Sequence, residues 1–142
     1  MKKIIVALIT ALLMFSVSIT AYANDIAVYD NNCNGVDSNF FISNGKANVE
    51  NKVIGKKGVT KKIIINTKVQ KKVGLIWVTV DNGSWTDTSS AYNFSKSHSV
   101  QLSSKGTYRA HVKFIVSGTG GSDDEITLNS EKIYWLKERG IL

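Results

Sequence analysis

Apolar and polar positions alternate with period two along most of this 142-residue chain. That spacing predicts half-buried β-strands. Within residues 46–54, Ala47, Val49 and Val53 fall on one face. Within 61–71, Ile63, Ile65, Thr67 and Val69 point one way, and Lys62, Ile64, Asn66, Lys68 and Gln70 the other. Residues 107–116 repeat the pattern: Tyr108, Ala110, Val112, Phe114 and Val116 face inward, and Arg109, His111 and Lys113 outward. Residues 75–80 (LIWVTV) form a near-continuous apolar run that reads as a strand with Trp77 inside it. His98, Val100 and Leu102 alternate again, and residues 125–135 supply a last strand or two.

Turn signals separate these runs. Asn44-Gly45 is a hairpin signature, and residues 55–58, 72–74, 81–83 and 103–106 are rich in Gly, Asn, Asp and Lys. Residues 30–38 read as a polar loop, 40–42 as a brief apolar stretch, and 117–124 (SGTGGSDD) as a loop solvated by its acids. About seven short strands with no helical period predict an all-β antiparallel sandwich, with a small closed barrel as the runner-up. The chain divides into residues 1–23, an N-terminal arm and polar loop over 24–44, and a sandwich domain over 45–142.

The first 23 residues break the pattern. Lys2 and Lys3 precede a 12-residue apolar run over 4–15, and Ala21-Tyr22-Ala23 follows. A positive start, a short apolar core and a small-x-small end predict a secretory signal peptide cleaved after Ala23. A membrane-spanning helix needs roughly 20 apolar residues, and no later segment approaches that. The expected product is secreted, either released or held at the cell surface by non-covalent contacts.

Composition then narrows the chemistry. The formal net charge is +7, and about +5 remains once Lys2 and Lys3 are removed with the signal. Cys33 is the one cysteine, so no internal disulfide forms and the thiol is buried, free or paired between chains. Lysines concentrate in residues 46–72, where Glu50 is the sole acid. Lys56, Lys57, Lys61, Lys62, Lys68, Lys71 and Lys72 are the candidate polyanion-binding residues, for which an anionic cell-wall polymer is the fitting partner. The competing reading is a solvated strand face whose lysines guard against edge aggregation. Another protein is a further possible partner. Nucleic acid is disfavoured, because Arg is scarce and no exposed aromatic platform is evident.

Catalytic and metal motifs are missing. The segment Asp30-Asn31-Asn32-Cys33-Asn34-Gly35 opens like a calcium loop, but Phe41 stands where the bidentate Glu belongs. There is no G-x-S-x-G, H-E-x-x-H or paired-carboxylate motif. No catalytic residue, metal site or cofactor is assigned, and the chain is read as a non-enzyme.

Val69-Gln70-Lys71-Lys72, Trp77, Trp85 and Lys105-Gly106-Thr107-Tyr108-Arg109 together resemble a group of small secreted proteins from Gram-positive bacteria. The resemblance spans residues 45–135 and implies an immunoglobulin-like sandwich without an assigned activity. An immunoglobulin-like core places a Trp on the third strand and a Tyr near the start of the sixth. Trp77 and Tyr108 are therefore expected in the core, with Val112 and Phe114. The resulting expectation is an exported, non-catalytic binding or cell-envelope module, with a secreted antimicrobial or toxin-like protein as the alternative.

Overall fold

A computed structural model of the protein describes residues 31–135. Residues 1–30, on which the expected signal peptide falls, and the chain after Trp135 lie outside the described residues. Seven strands run in order: β1 (Cys33–Ser43), β2 (Lys46–Gly55), β3 (Thr60–Val73), β4 (Ile76–Ser89), β5 (Asn93–Gln101), β6 (Gly106–Gly118) and β7 (Asp124–Tyr134). They form a three-stranded sheet of order β1-β2-β5 and a four-stranded sheet of order β4-β3-β6-β7. Every pairing is antiparallel. The two sheets face each other as a β-sandwich, and among the described residues no ladder joins them into a closed barrel.

Strands β2, β3 and β6 form where period two set them, and the alternation decides which face is buried. Ala47, Val49 and Val53 of β2 meet Ile63, Ile65 and Val69 of β3, with Tyr108, Ala110, Val112, Phe114 and Val116 of β6, in one core. Phe40, Val100 and Ile126 join it from the edge strands, and Leu102 from just beyond β5. Full burial of each large apolar side chain stabilises the fold by about 1.5–3 kcal/mol. One polar pair lies within this core. Asn51 Nδ2 donates to Thr67 Oγ1 across the sheets at 2.8 Å, and Ser38 Oγ donates to Asn51 Oδ1 at 2.8 Å. A buried amide without such partners would cost about 1–3 kcal/mol.

Two turns follow directly from local chemistry. Asn44 and Gly45 both have positive φ, 50° and 73°, as a two-residue type I′ hairpin requires. Gly74 (φ 61°) opens the two-residue loop between Val73 and Ile76, where a Gly is needed at the first central position.

Four expectations need correction. Residues 33–43 are not part of an arm and polar loop: they are β1, paired along its length with β2. Residues 75–80 form a strand only from Ile76, and that strand is an exposed edge of its sheet. Leu75 sits in the β3–β4 turn at 97% exposure, and Ile76 is 62% exposed. Residues 81–83 do not end a strand. They belong to a bulge inside β4, where Val80 to Gly83 stand opposite Val69 alone, since Lys68 pairs with Ser84 and Gln70 with Thr79. Trp77, finally, is not in the core. It lies on β4, half-buried on the outer face of the four-stranded sheet, under the Arg109 guanidinium at 4.4 Å. The nearby pair of cations (Lys72 is 5.8 Å from the ring centre) holds the indole by cation–π attraction, an alternative to burial for a large ring on a pleated surface.

The acidic loop also behaves differently from expectation. Asp124 is buried, and its carboxylate accepts the backbone N–H groups of Asn32 (2.8 Å) and Cys33 (3.0 Å). Asn32 Nδ2 donates to the Ser122 carbonyl at 2.8 Å, and Gly120 N–H donates to Asn32 Oδ1 at 3.0 Å. The Thr60 hydroxyl donates to the Asn32 carbonyl. A Cβ on Gly120 would overlap the Asn31 carbonyl oxygen. This network ties the start of β1 to the β6–β7 connection at one end of the sandwich. Neither segment could satisfy its buried backbone groups alone.

Candidate functional site

The outward face of the four-stranded sheet collects most of the polar chemistry. Because Ile63, Ile65, Thr67 and Val69 are buried, Asn66, Lys68, Gln70 and Lys72 of β3 project outward. By the same alternation, β6 projects Arg109, His111 and Lys113. Register then sets these residues in rows. Lys68 lies beside His111 on one side and Ser84 on the other, and Asn66 lies beside Lys113 and Thr86. The next row toward the β3–β4 turn holds Thr79, Gln70, Arg109 and Glu131.

A shallow depression of about 300 Å³ opens here, lined by Asn66, Lys68, Ser84, Thr86, His111 and Lys113, with Trp85. Lys68 and Lys113 are diagonal neighbours on the two central strands, a spacing of about 7–8 Å between residues. Both flexible ammonium groups can therefore reach one anionic group. Lys113 is held by Glu125 at 2.6 Å, whereas Lys68 forms no ion pair among the described residues. His111 Nδ1 donates to Asn129 Oδ1 at 2.7 Å, which fixes the ring and leaves Nε2 as its second polar atom. Thr86 donates to Asn66 Oδ1 at 2.8 Å, and Arg109 Nε donates to Gln70 Oε1 at 2.8 Å. Glu131 is the carboxylate in these rows, and Glu125 reaches Lys113 from the adjoining row, both on β7. The centre of the face is cationic and its flank, along β4, carries hydroxyls.

The lysine candidates do not form one patch. Lys68 and Lys72 share the outer face with Arg109 and Lys113. Lys62 is on the same face, at the far end beside Ser117. Lys56, Lys57 and Lys61 sit around the β2–β3 connection, at that same far end. Lys71 turns the other way, because its ladder partner Tyr108 is a core residue. Its ammonium donates to Ser104 Oγ at 2.6 Å and lies 5.8 Å from the Tyr108 ring centre. A run of lysines in sequence spans both ends of a 14-residue strand, so sequence proximity overstated the cluster. Arg109, His111 and Lys113 were assigned outward by their alternation, but only the β3–β6 register joins them to Lys68.

The other reactive side chains have structural partners. His98 Nε2 donates to Asp87 Oδ2 at 2.6 Å, and its ring stacks on Trp85 with centroids 4.6 Å apart and planes 7° from parallel. This cluster bridges the open edges β4 and β5. Cys33 is a free, fully buried thiol. Burial, then the neighbouring Asp124 carboxylate, pushes its pKa up to about 11. Tyr108, Val112 and Phe114 all lie in the core, and the Tyr108 hydroxyl donates to the Ser104 carbonyl at 2.7 Å. Among the described residues no group of three His, Cys, Asp or Glu side chains could hold a metal ion, and no helix is long and apolar enough to cross a membrane.

No protein-family model, curated protein or solved structure matches this chain. The functional reading therefore rests on the site itself.

Proposed function

We propose that this protein is an exported, non-catalytic binding module whose outer sheet face holds an anionic cell-surface polymer. The observation that carries the reading is the convergence of Lys68 and Lys113 on one depression, with His111, Asn66 and the Ser84 and Thr86 hydroxyls around it. A repeating phosphate or carboxylate polymer would place one anionic unit there and continue along the row of Arg109 and Lys72. Long-range attraction from the remaining positive charge would speed the encounter. The signal-like start of the chain would deliver the domain to such a polymer.

In this reading the sandwich is immunoglobulin-like. Supporting it, β2 and β5 share one sheet while β3, β6 and β7 share the other, as in that arrangement. The bond from Tyr108, near the start of β6, to a carbonyl four residues upstream has the form of a tyrosine corner. The buried Trp expected on the third strand is missing, and membership in the group of small secreted Gram-positive proteins stands on the sequence resemblance.

Cosedimentation with purified Gram-positive cell walls tests the function. Binding is expected at low salt and should fall steeply as ionic strength rises through about 0.15 M, where the Debye length is about 8 Å. Lys68→Gln with Lys113→Gln should weaken it about tenfold, whereas Lys57→Gln with Lys61→Gln should leave most of it. Absence of binding at low salt, or equal losses in both double variants, would remove this reading.

A further inference from the structure

We infer a second ligand site, independent of the outer face: the cleft between the open edges of β4 and β5 binds a single acyl chain ending in an anionic head group. β4 and β5 belong to different sheets and share no ladder. Toward the middle of the sandwich, the Trp85–His98 stack and the His98–Asp87 bond close the gap between them. Nearer the β3–β4 turn the gap opens, because the Val80–Gly83 bulge breaks the regular course of β4. The bulge is built in: Asn82 has a φ of 58°, and a Cβ on Gly83 would overlap the Val80 side chain.

The resulting cavity has a volume of about 680 Å³, within the range of roughly 300–1,000 Å³ that small-molecule sites occupy. Val80, Trp85, Val100 and Leu102 give it apolar walls. Val73 and Val78 extend that surface to the mouth, where they remain 53% and 44% exposed. Apolar area left open beside a cavity is a surface that a ligand can still bury. The cation is Lys71, oriented to the interior side by the buried register of its Tyr108 partner and held by Ser104. Asp81 is the acid in the lining, and it is exposed on the β4 bulge.

This combination selects the occupant. Apolar walls ending at one ammonium suit a chain with an anionic head. A peptide strand added to β4 would need a regular edge to pair with, and the bulge interrupts β4 at this point. The head group can belong to a free fatty acid or to a membrane lipid. The exposed Leu75 and Ile76 at the tip of the adjoining hairpin, with Lys72 beside them, offer a bilayer contact for the second source.

Competition against a fluorescent fatty acid tests the site in the purified protein. Sodium octanoate, decanoate and dodecanoate should displace the probe with affinity rising about fourfold per methylene, the equivalent of about 0.8 kcal/mol each. Val78→Glu, at the half-exposed mouth, should weaken dodecanoate at least about tenfold, with an unchanged circular dichroism spectrum and melting temperature showing that the fold is kept. Lys71→Met should weaken dodecanoate about tenfold and leave dodecanol unchanged. Uptake of free dodecanoate identifies a soluble amphiphile as the source. Binding confined to phosphatidylglycerol vesicles and lost in Val78→Glu supports the site with the bilayer as the source. No binding in either form, affinity independent of chain length, or an undiminished Val78→Glu variant would overturn the inference.

Discussion

Replacing Asp124 with Ala should unfold the sandwich from the end at which β1 begins. The carboxylate accepts two buried backbone N–H groups, those of Asn32 and Cys33. Each buried donor left without an acceptor costs about 1–3 kcal/mol. Some relaxation and water entry at the end of the sandwich will offset part of this, so the expected loss is about 2–4 kcal/mol. Total stability for a domain of this size is about 5–15 kcal/mol, and the melting temperature should drop by roughly 10–25 °C. The neighbouring Asp123 is exposed, and Asp123→Ala should change stability by no more than about 0.5 kcal/mol. Urea unfolding of the two variants, followed by far-ultraviolet circular dichroism at neutral pH, measures both numbers. Amide exchange supplies the local readout, with protection expected to fall first at Asn32 and Cys33. If Asp124→Ala matches Asp123→Ala, or if those two amides exchange unchanged, the carboxylate does not anchor β1.

Two further predictions concern Tyr108 and Cys33. Tyr108→Phe removes the hydrogen bond to the Ser104 carbonyl and keeps the ring in place, so a loss of about 1–2 kcal/mol is expected in the same urea assay. An unchanged unfolding midpoint would assign the residue to packing alone. The Cys33 pKa is raised from 9.0 to about 11 in the folded state. The folded protein therefore holds this proton more tightly than the unfolded chain, and the resulting stability is fully present below pH 9 and lost as pH rises toward 11. The two-unit shift corresponds to about 2–3 kcal/mol. Wild type should lose that much more stability than Cys33→Ala between pH 8 and pH 11, and parallel pH profiles would contradict the burial argument.

Alternation along β2, β3 and β6 was sufficient to identify their buried faces, because a strand's side chains must alternate whatever it pairs with. The same is true of the Asn44-Gly45 hairpin, which depends on positive φ at two adjacent residues. Tyr108, Val112 and Phe114 were legible as core for this reason. Alternation fails where the chain is polar on both faces or irregular. β1 reads as a loop because Asn, Asp, Ser and Gly dominate its first half, and its pairing with β2 makes it a strand.

Residue order also misplaced the site. Consecutive lysines on β3 point to opposite faces, so Lys71 and Lys72 separate into the cleft and the outer surface. Lys68 meets Lys113, 45 positions away, through the β3–β6 register, and no local pattern encodes a partner strand. Asp124 meets Asn32 across 92 positions, which converts an apparently solvated acid into a buried anchor. The sequence alone determined β2, β3 and β6 and their inward faces, since those follow from the pleat of each segment. Tertiary structure decided the partners, the β4 bulge, the cleft and the cationic face, because each depends on which distant backbones share hydrogen bonds.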